Sequence, residues 1–215
     1  MAKRWAAWAL GALLLIGGAA PGAVLAANKT ETYKAQDHTV YAQFEERDGN
    51  LRTITTVIAT KNATSTPDRK QSPLVMVSSV TYDTKKGKMR WNAFGTTTRP
   101  DAFNIDSKLG GGAVKAKVRV YDAVKEQTFT VNVDVKWNAD GKVHKGQTDS
   151  FTVNPPKGAT DGVKLAVKAV GDIRDATTSG TVKKGGAVWG DGNAKDAELY
   201  DLDSLLVTVT RPEQK

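Results

Sequence analysis

Five carboxylates and one side-chain amide crowd into thirteen residues near the end of the chain: Asp191, Asn193, Asp196, Glu198, Asp201 and Asp203, with Lys195 as the only cation among them. Calcium is held by about six to eight hard oxygens at flexible positions, so this run is the candidate metal site of the sequence. Asp191-Gly192-Asn193 resembles the opening of an oxygen-ligand loop. An EF-hand, however, would have Gly sixth and Glu twelfth, where Asp196 and Leu202 stand. The plainer reading is a solvated acidic loop leading into the last strand, and no cofactor other than calcium is indicated.

A basic row offers a different chemistry. Lys115, Lys117 and Arg119 alternate with Ala116 and Val118, which on a strand puts the three cations on one sheet face about 7 Å apart. Such a row could track an anionic cell-surface polymer, such as a teichoic acid or an acidic polysaccharide. Charges of this kind also keep a sheet from pairing with other chains. The cross-strand neighbours are expected to be Thr128, Thr130 and Asn132. With no aromatic residue among those three, the stacking platform of a single-stranded nucleic-acid site is missing, and nucleic acid is not expected as a partner. Trp189, in the Gly-rich stretch 185–192, is the aromatic residue expected to be exposed, whereas Trp137 alternates onto an apolar face with Phe129 and belongs in the core.

Catalytic arrangements are sparse. The two histidines, His38 and His144, have no H-E-x-x-H zinc motif or G-x-S-x-G elbow around them. Asp149 and Ser150 follow His144 closely enough for a Ser-His-Asp set to be drawn, but a solvent-facing strand histidine is the simpler reading. Gly110-Gly111-Gly112 lacks the Lys and Ser/Thr that complete a phosphate loop. Asp83 and Asp134 are the strand carboxylates from which a glycoside-hydrolase pair could be built. Asp134 nevertheless shares its polar face with Lys115 and Lys136, where a cross-strand ion pair accounts for it. The absence of cysteine removes thiol catalysis, disulfides and Cys-ligated metals.

The N-terminus suggests the compartment. Lys3 and Arg4 precede an apolar run from Trp5 to Ile16, then small residues, Pro21-Gly22 and Val24-Leu25-Ala26. This is the layout of a secretory signal peptide, with cleavage expected after Ala26. The apolar run is short of the about 20 residues a span requires, so no membrane span is expected after cleavage. The expectation is a secreted protein, extracellular or periplasmic. The mature chain, residues 27–215, would carry 29 basic against 23 acidic residues, a formal charge of +6, and is of a size for a single all-β domain.

What must position these side chains is a set of strands. Val114, Ala116, Val118 and Val120 share one face of a strand, as do Phe129, Val131, Val133, Val135 and Trp137 of the next. One apolar and one polar face per strand marks an antiparallel sheet. Asp48-Gly49, Lys85-Lys86-Gly87-Lys88 and Asp140-Gly141 are read as reversals, and 63–72, 97–112 and 154–162 as loops. Residues 163–174 suit helix or strand; the valines and the surrounding elements favour strand. The fold class that follows is all-β, with antiparallel hairpins and meanders forming a two-sheet β-sandwich, or alternatively a closed up-and-down β-barrel. The function expected is a secreted, non-enzymatic binding or structural module at or outside the cell surface. An extracellular hydrolase using paired strand carboxylates, and a barrel binding a small apolar ligand, are the alternatives.

Overall fold

The computed structural model describes residues 30–65, 73–153 and 164–210. The expected signal peptide and the loop at 154–162 lie outside them, as does most of the loop at 63–72. Among the described residues there are eleven strands: β1 (Thr30–Asp48), β2 (Leu51–Ser65), β3 (Leu74–Asp83), β4 (Lys88–Thr97), β5 (Ala102–Ile105), β6 (Gly111–Asp122), β7 (Gln127–Ala139), β8 (His144–Val153), β9 (Lys164–Lys184), β10 (Ala187–Asp191) and β11 (Asp196–Thr210). No helix is present among them, and every ladder is antiparallel.

The pairings return on themselves. β1 joins β2, β2 joins β3, β3 joins β4, β4 joins β6, β6 joins β7, β7 joins β9, β9 joins β11, and β11 joins β1. β5, β8 and β10 lie outside this ring, β5 beside β6 and the other two beside β9. Alternation determines what faces inward. Val114, Ala116, Val118 and Val120 of β6 and Val131, Val133 and Val135 of β7 are buried, while the residues between them are exposed. They pack in one apolar cluster with Val40 and Phe44 of β1, Val57 of β2, Val75 and Val77 of β3, and Leu199 of β11.

β9 organises the sheet because it is long enough to hold four neighbours. Its first part, up to Asp175, lies between β8 and β11, and its second part, from Ala176, between β7 and β10. β7 and β8 are both antiparallel to β9 and therefore run in the same direction, one after the other. Asp140-Gly141 thus corrects a sequence expectation: it interrupts a strand and does not reverse it. The interruption is tied down along β9, because the Asp140 N–H donates to the Asp175 carbonyl at 2.8 Å and the Arg174 guanidinium donates to the Gly141 carbonyl at 3.0 Å. Asp48-Gly49, by contrast, closes the β1–β2 hairpin with Asp48 opposite Leu51, as read from the sequence.

Two further expectations meet the structure here. Residues 163–174 fall largely in β9, so the strand reading holds. The expected loop at 97–112 instead contains β5, which pairs with β6 over Gly112–Lys115. The turn after β5 is closed by Asp106 N–H donating to the Gly111 carbonyl at 3.0 Å. Short strands of this kind carry too few residues for alternation to register.

The β7–β9 ladder depends on Gly180. Its φ is +115°, and a Cβ there would lie 2.0 Å from the Asp134 carbonyl oxygen. Gly180→Ala therefore meets both a strained backbone angle and a main-chain clash, and is expected to cost about 2–3 kcal/mol. For a domain of this size that lowers the melting temperature by roughly 4–10 °C, read by circular dichroism; an unchanged melting temperature would contradict the close approach.

Candidate functional site

The outer face of β6, β7 and the second part of β9 is a strongly charged surface. Lys115, Lys117 and Arg119 all stand exposed on it. The register sets them opposite Asp134, Asn132 and Thr130, and Thr128 lies opposite Tyr121. The next strand over adds Lys183 beside Asn132 and Ser179 beside Lys136. Lys136 and Lys183 are exposed as well, so five cations share this face. Asp134 is the only acid on it among the described residues of these three strands. Its Oδ2 lies 3.5 Å from Lys115 Nζ with both side chains more than half exposed, a surface pair that contributes less than about 1 kcal/mol and leaves the lysine head accessible.

The aromatic neighbour that sequence reasoning missed is on this face. Tyr121 continues the alternation of Lys115, Lys117 and Arg119, and its side chain is 50% exposed. Directly opposite it on β4 stands Phe94, 36% exposed. The signal was present in the spacing of Tyr121, whereas Phe94 could only be found through the non-sequential β4–β6 pairing. Trp189 corrects the opposite expectation. It is half-buried, edge-on to Trp91 at a centroid distance of 5.0 Å and to Phe129 at 5.5 Å. A Gly-rich local sequence implied exposure, but β10 pairs with β9 and brings the indole against two rings distant in sequence.

Among the described side chains the acidic run does not converge. Asp191 ends β10 and is exposed. Asn193 sits in the break before β11, where its Oδ1 accepts from the Thr178 N–H at 3.0 Å; the Thr178 hydroxyl donates to the Gly192 carbonyl and accepts from the Ala194 N–H. The expected ion loop is therefore a short connection hydrogen-bonded to β9. Beyond it, Asp196, Glu198, Asp201 and Asp203 belong to β11, and alternation separates Asp196 and Glu198 from Asp201. Asp196 is exposed. Glu198 is buried and accepts from the Tyr200 hydroxyl, which burial holds well above its ordinary pKa. Asp201 faces the other way, its Oδ1 2.9 Å from His38 Nδ1. The Asp203 side chain is outside those described. Among the described residues, no three metal-ligating side chains come together.

The strand carboxylates are occupied structurally. Asp83 accepts from the Lys86 N–H at 2.9 Å and from the Arg90 guanidinium at 2.8 Å, and these contacts hold it below its ordinary range. Asp122 is fully buried, which raises its pKa, yet Trp91 Nε1 at 2.7 Å and the N–H groups of Val124 and Lys125 at 3.0 Å outweigh that and lower it. His144 opens β8 opposite Ile173, and the Asp149 side chain lies outside those described.

A separate open cleft of about 590 Å³ lies between the end of β1 and β10, lined by Phe44, Glu45, Arg47, Trp189, Asn193 and Lys195 among others. Glu45 is its electrostatic centre. Its carboxylate receives Arg47 and Arg52 at 2.8 Å each and also Lys195, and these hydrogen bonds hold it far below the usual carboxylate range. Glu46 and Asp191 also line the cleft, so acids outnumber cations among its lining residues, unlike on the β6 face.

No known family model matches the chain, and no curated protein matches it. The assignment of function therefore rests on the geometry of these surfaces.

Proposed function

We propose that this chain is an exported, non-enzymatic β domain that binds an anionic polymer of the cell surface through the outer face of β6, β7 and β9. The observation that carries this reading is the exposure of Lys115, Lys117, Arg119, Lys136 and Lys183 on one face with Asp134 as their only acid among the described residues. Five like charges on neighbouring strands repel one another and are stabilised when a polyanion lies across them. The N-terminal layout of Lys3, Arg4, the apolar run and Val24-Leu25-Ala26 supports export. The engagement of Asp83, Asp122 and Asp134 in turn caps and an ion pair supports a binding role over hydrolysis.

The test is titration of the mature chain with inorganic polyphosphate at low and at physiological salt. Lys115→Ala/Lys117→Ala/Arg119→Ala is expected to weaken binding at least about tenfold, equivalent to 1.4 kcal/mol, with the melting temperature kept. Raising the salt should weaken the parent protein more than the variant. Equal affinity of parent and variant would sink the proposal.

A further inference from the structure

Resting on that reading, we infer that the polymer is an acidic polysaccharide whose sugar rings lie on Phe94 and Tyr121 while its carboxylates pair with the row Arg119, Lys117 and Lys115. These four β6 positions occupy one face at successive steps of about 7 Å, so Tyr121 ends a row about 20 Å long. Phe94 doubles the platform, because the register sets it directly opposite Tyr121 and such partners have Cβ atoms about 5 Å apart. Gly95 allows the strands to meet there. A Cβ at that position would lie 2.1 Å from the Arg119 carbonyl oxygen, so any other residue would push β4, and Phe94 with it, away from β6.

Three chemistries thus meet on one surface. Two half-exposed rings can cover the apolar C–H face of a sugar. The cations match carboxylates. The hydroxyls of Thr128 and Thr130 and the amide of Asn132, on β7 opposite Tyr121, Arg119 and Lys117, suit sugar hydroxyls. A polyphosphate or other ring-free polyanion would use only the cations. A single-stranded nucleic acid would need a ring for base after base along the row, and the β6 row carries its aromatic residue at one end only.

The experiment compares three probes of similar charge by calorimetric titration: an oligo-uronate of about six sugars, inorganic polyphosphate, and an oligothymidylate. The variants are Phe94→Ala, Tyr121→Ala and Tyr121→Phe; the side chains replaced are exposed, and unchanged melting temperatures check the fold. Oligo-uronate affinity is expected to fall about tenfold in each alanine variant and to be retained in Tyr121→Phe, which keeps the ring, while polyphosphate affinity stays within about twofold of the parent. Alanine variants that leave oligo-uronate affinity unchanged would overturn the ring platform and leave the electrostatic reading intact. Tightest binding of the oligothymidylate would overturn the polysaccharide assignment. Failure of all three probes to bind, or insensitivity to removal of Lys115, Lys117 and Arg119, would overturn the underlying proposal as well.

Discussion

Trp137→Ala is expected to lower the unfolding free energy by about 3–5 kcal/mol, measured by urea denaturation. The indole is 2% exposed inside the ring, so its removal loses both transfer energy and packing around a cavity. It also makes a specific contact. Its Nε1 donates to the Tyr41 carbonyl at 2.8 Å, joining β7 to β1 across the interior, although these strands share no ladder. Trp137→Phe separates the two contributions: it keeps most of the volume and leaves the carbonyl without that donor, a loss of about 1–2 kcal/mol. Equal stability of the alanine variant and the parent would mean that the ring is not held together through its core.

Stability should fall as pH rises from about 4 to about 7, and Asp37→Asn should abolish most of that fall. Asp37 is 5% exposed, and burial pushes its carboxyl from 3.8 up to about 7. Among the described residues its Oδ1 accepts no hydrogen bond, and the register of β1 shifts beside it on both neighbours. A carboxyl whose folded pKa is raised contributes its stability while protonated. That contribution is complete below the unfolded value and is lost as pH rises through the folded one. A difference of about three units corresponds to roughly 4 kcal/mol. Asp83 and Asp122 have the opposite sign: their lowered pKa values stabilise above the unfolded value and weaken the fold as acid protonates them. The parent should therefore be most stable in mildly acidic solution, and urea midpoints of parent and Asp37→Asn across pH 4–8 should converge at the acidic end. Parallel curves would refute the assignment to Asp37.

Alternation within a strand was legible wherever the strand ran long enough. The inward valines of β6 and β7, the buried Trp137, the Lys115–Asp134 pair and the β1–β2 turn could all be read from local spacing. Partnership between distant strands could not. Asp48-Gly49 and Asp140-Gly141 are the same dipeptide, yet the first reverses the chain and the second does not, because β9 holds both β7 and β8. The same long-range pairing brings Phe94 to Tyr121 and takes Trp189 to Trp91. The basic half of the candidate surface was therefore visible from spacing, and its aromatic half only in part.

The ladder between β1 and β11 bears on the order of folding. It pairs Thr30 with Thr210 and Gln43 with Asp196, so the first described strand has no final neighbour until the last has been made. Hairpins such as β6–β7 can form early from nearby residues, but joining ends this far apart must first overcome the entropy of a long loop, which makes such topologies slow to mature. Until β11 has been made, the β1–β11 ladder cannot form and the ring of pairings stays open. Under the proposed export, a polypeptide in that condition would still thread through a narrow pore and would close its sheet only once β11 had followed.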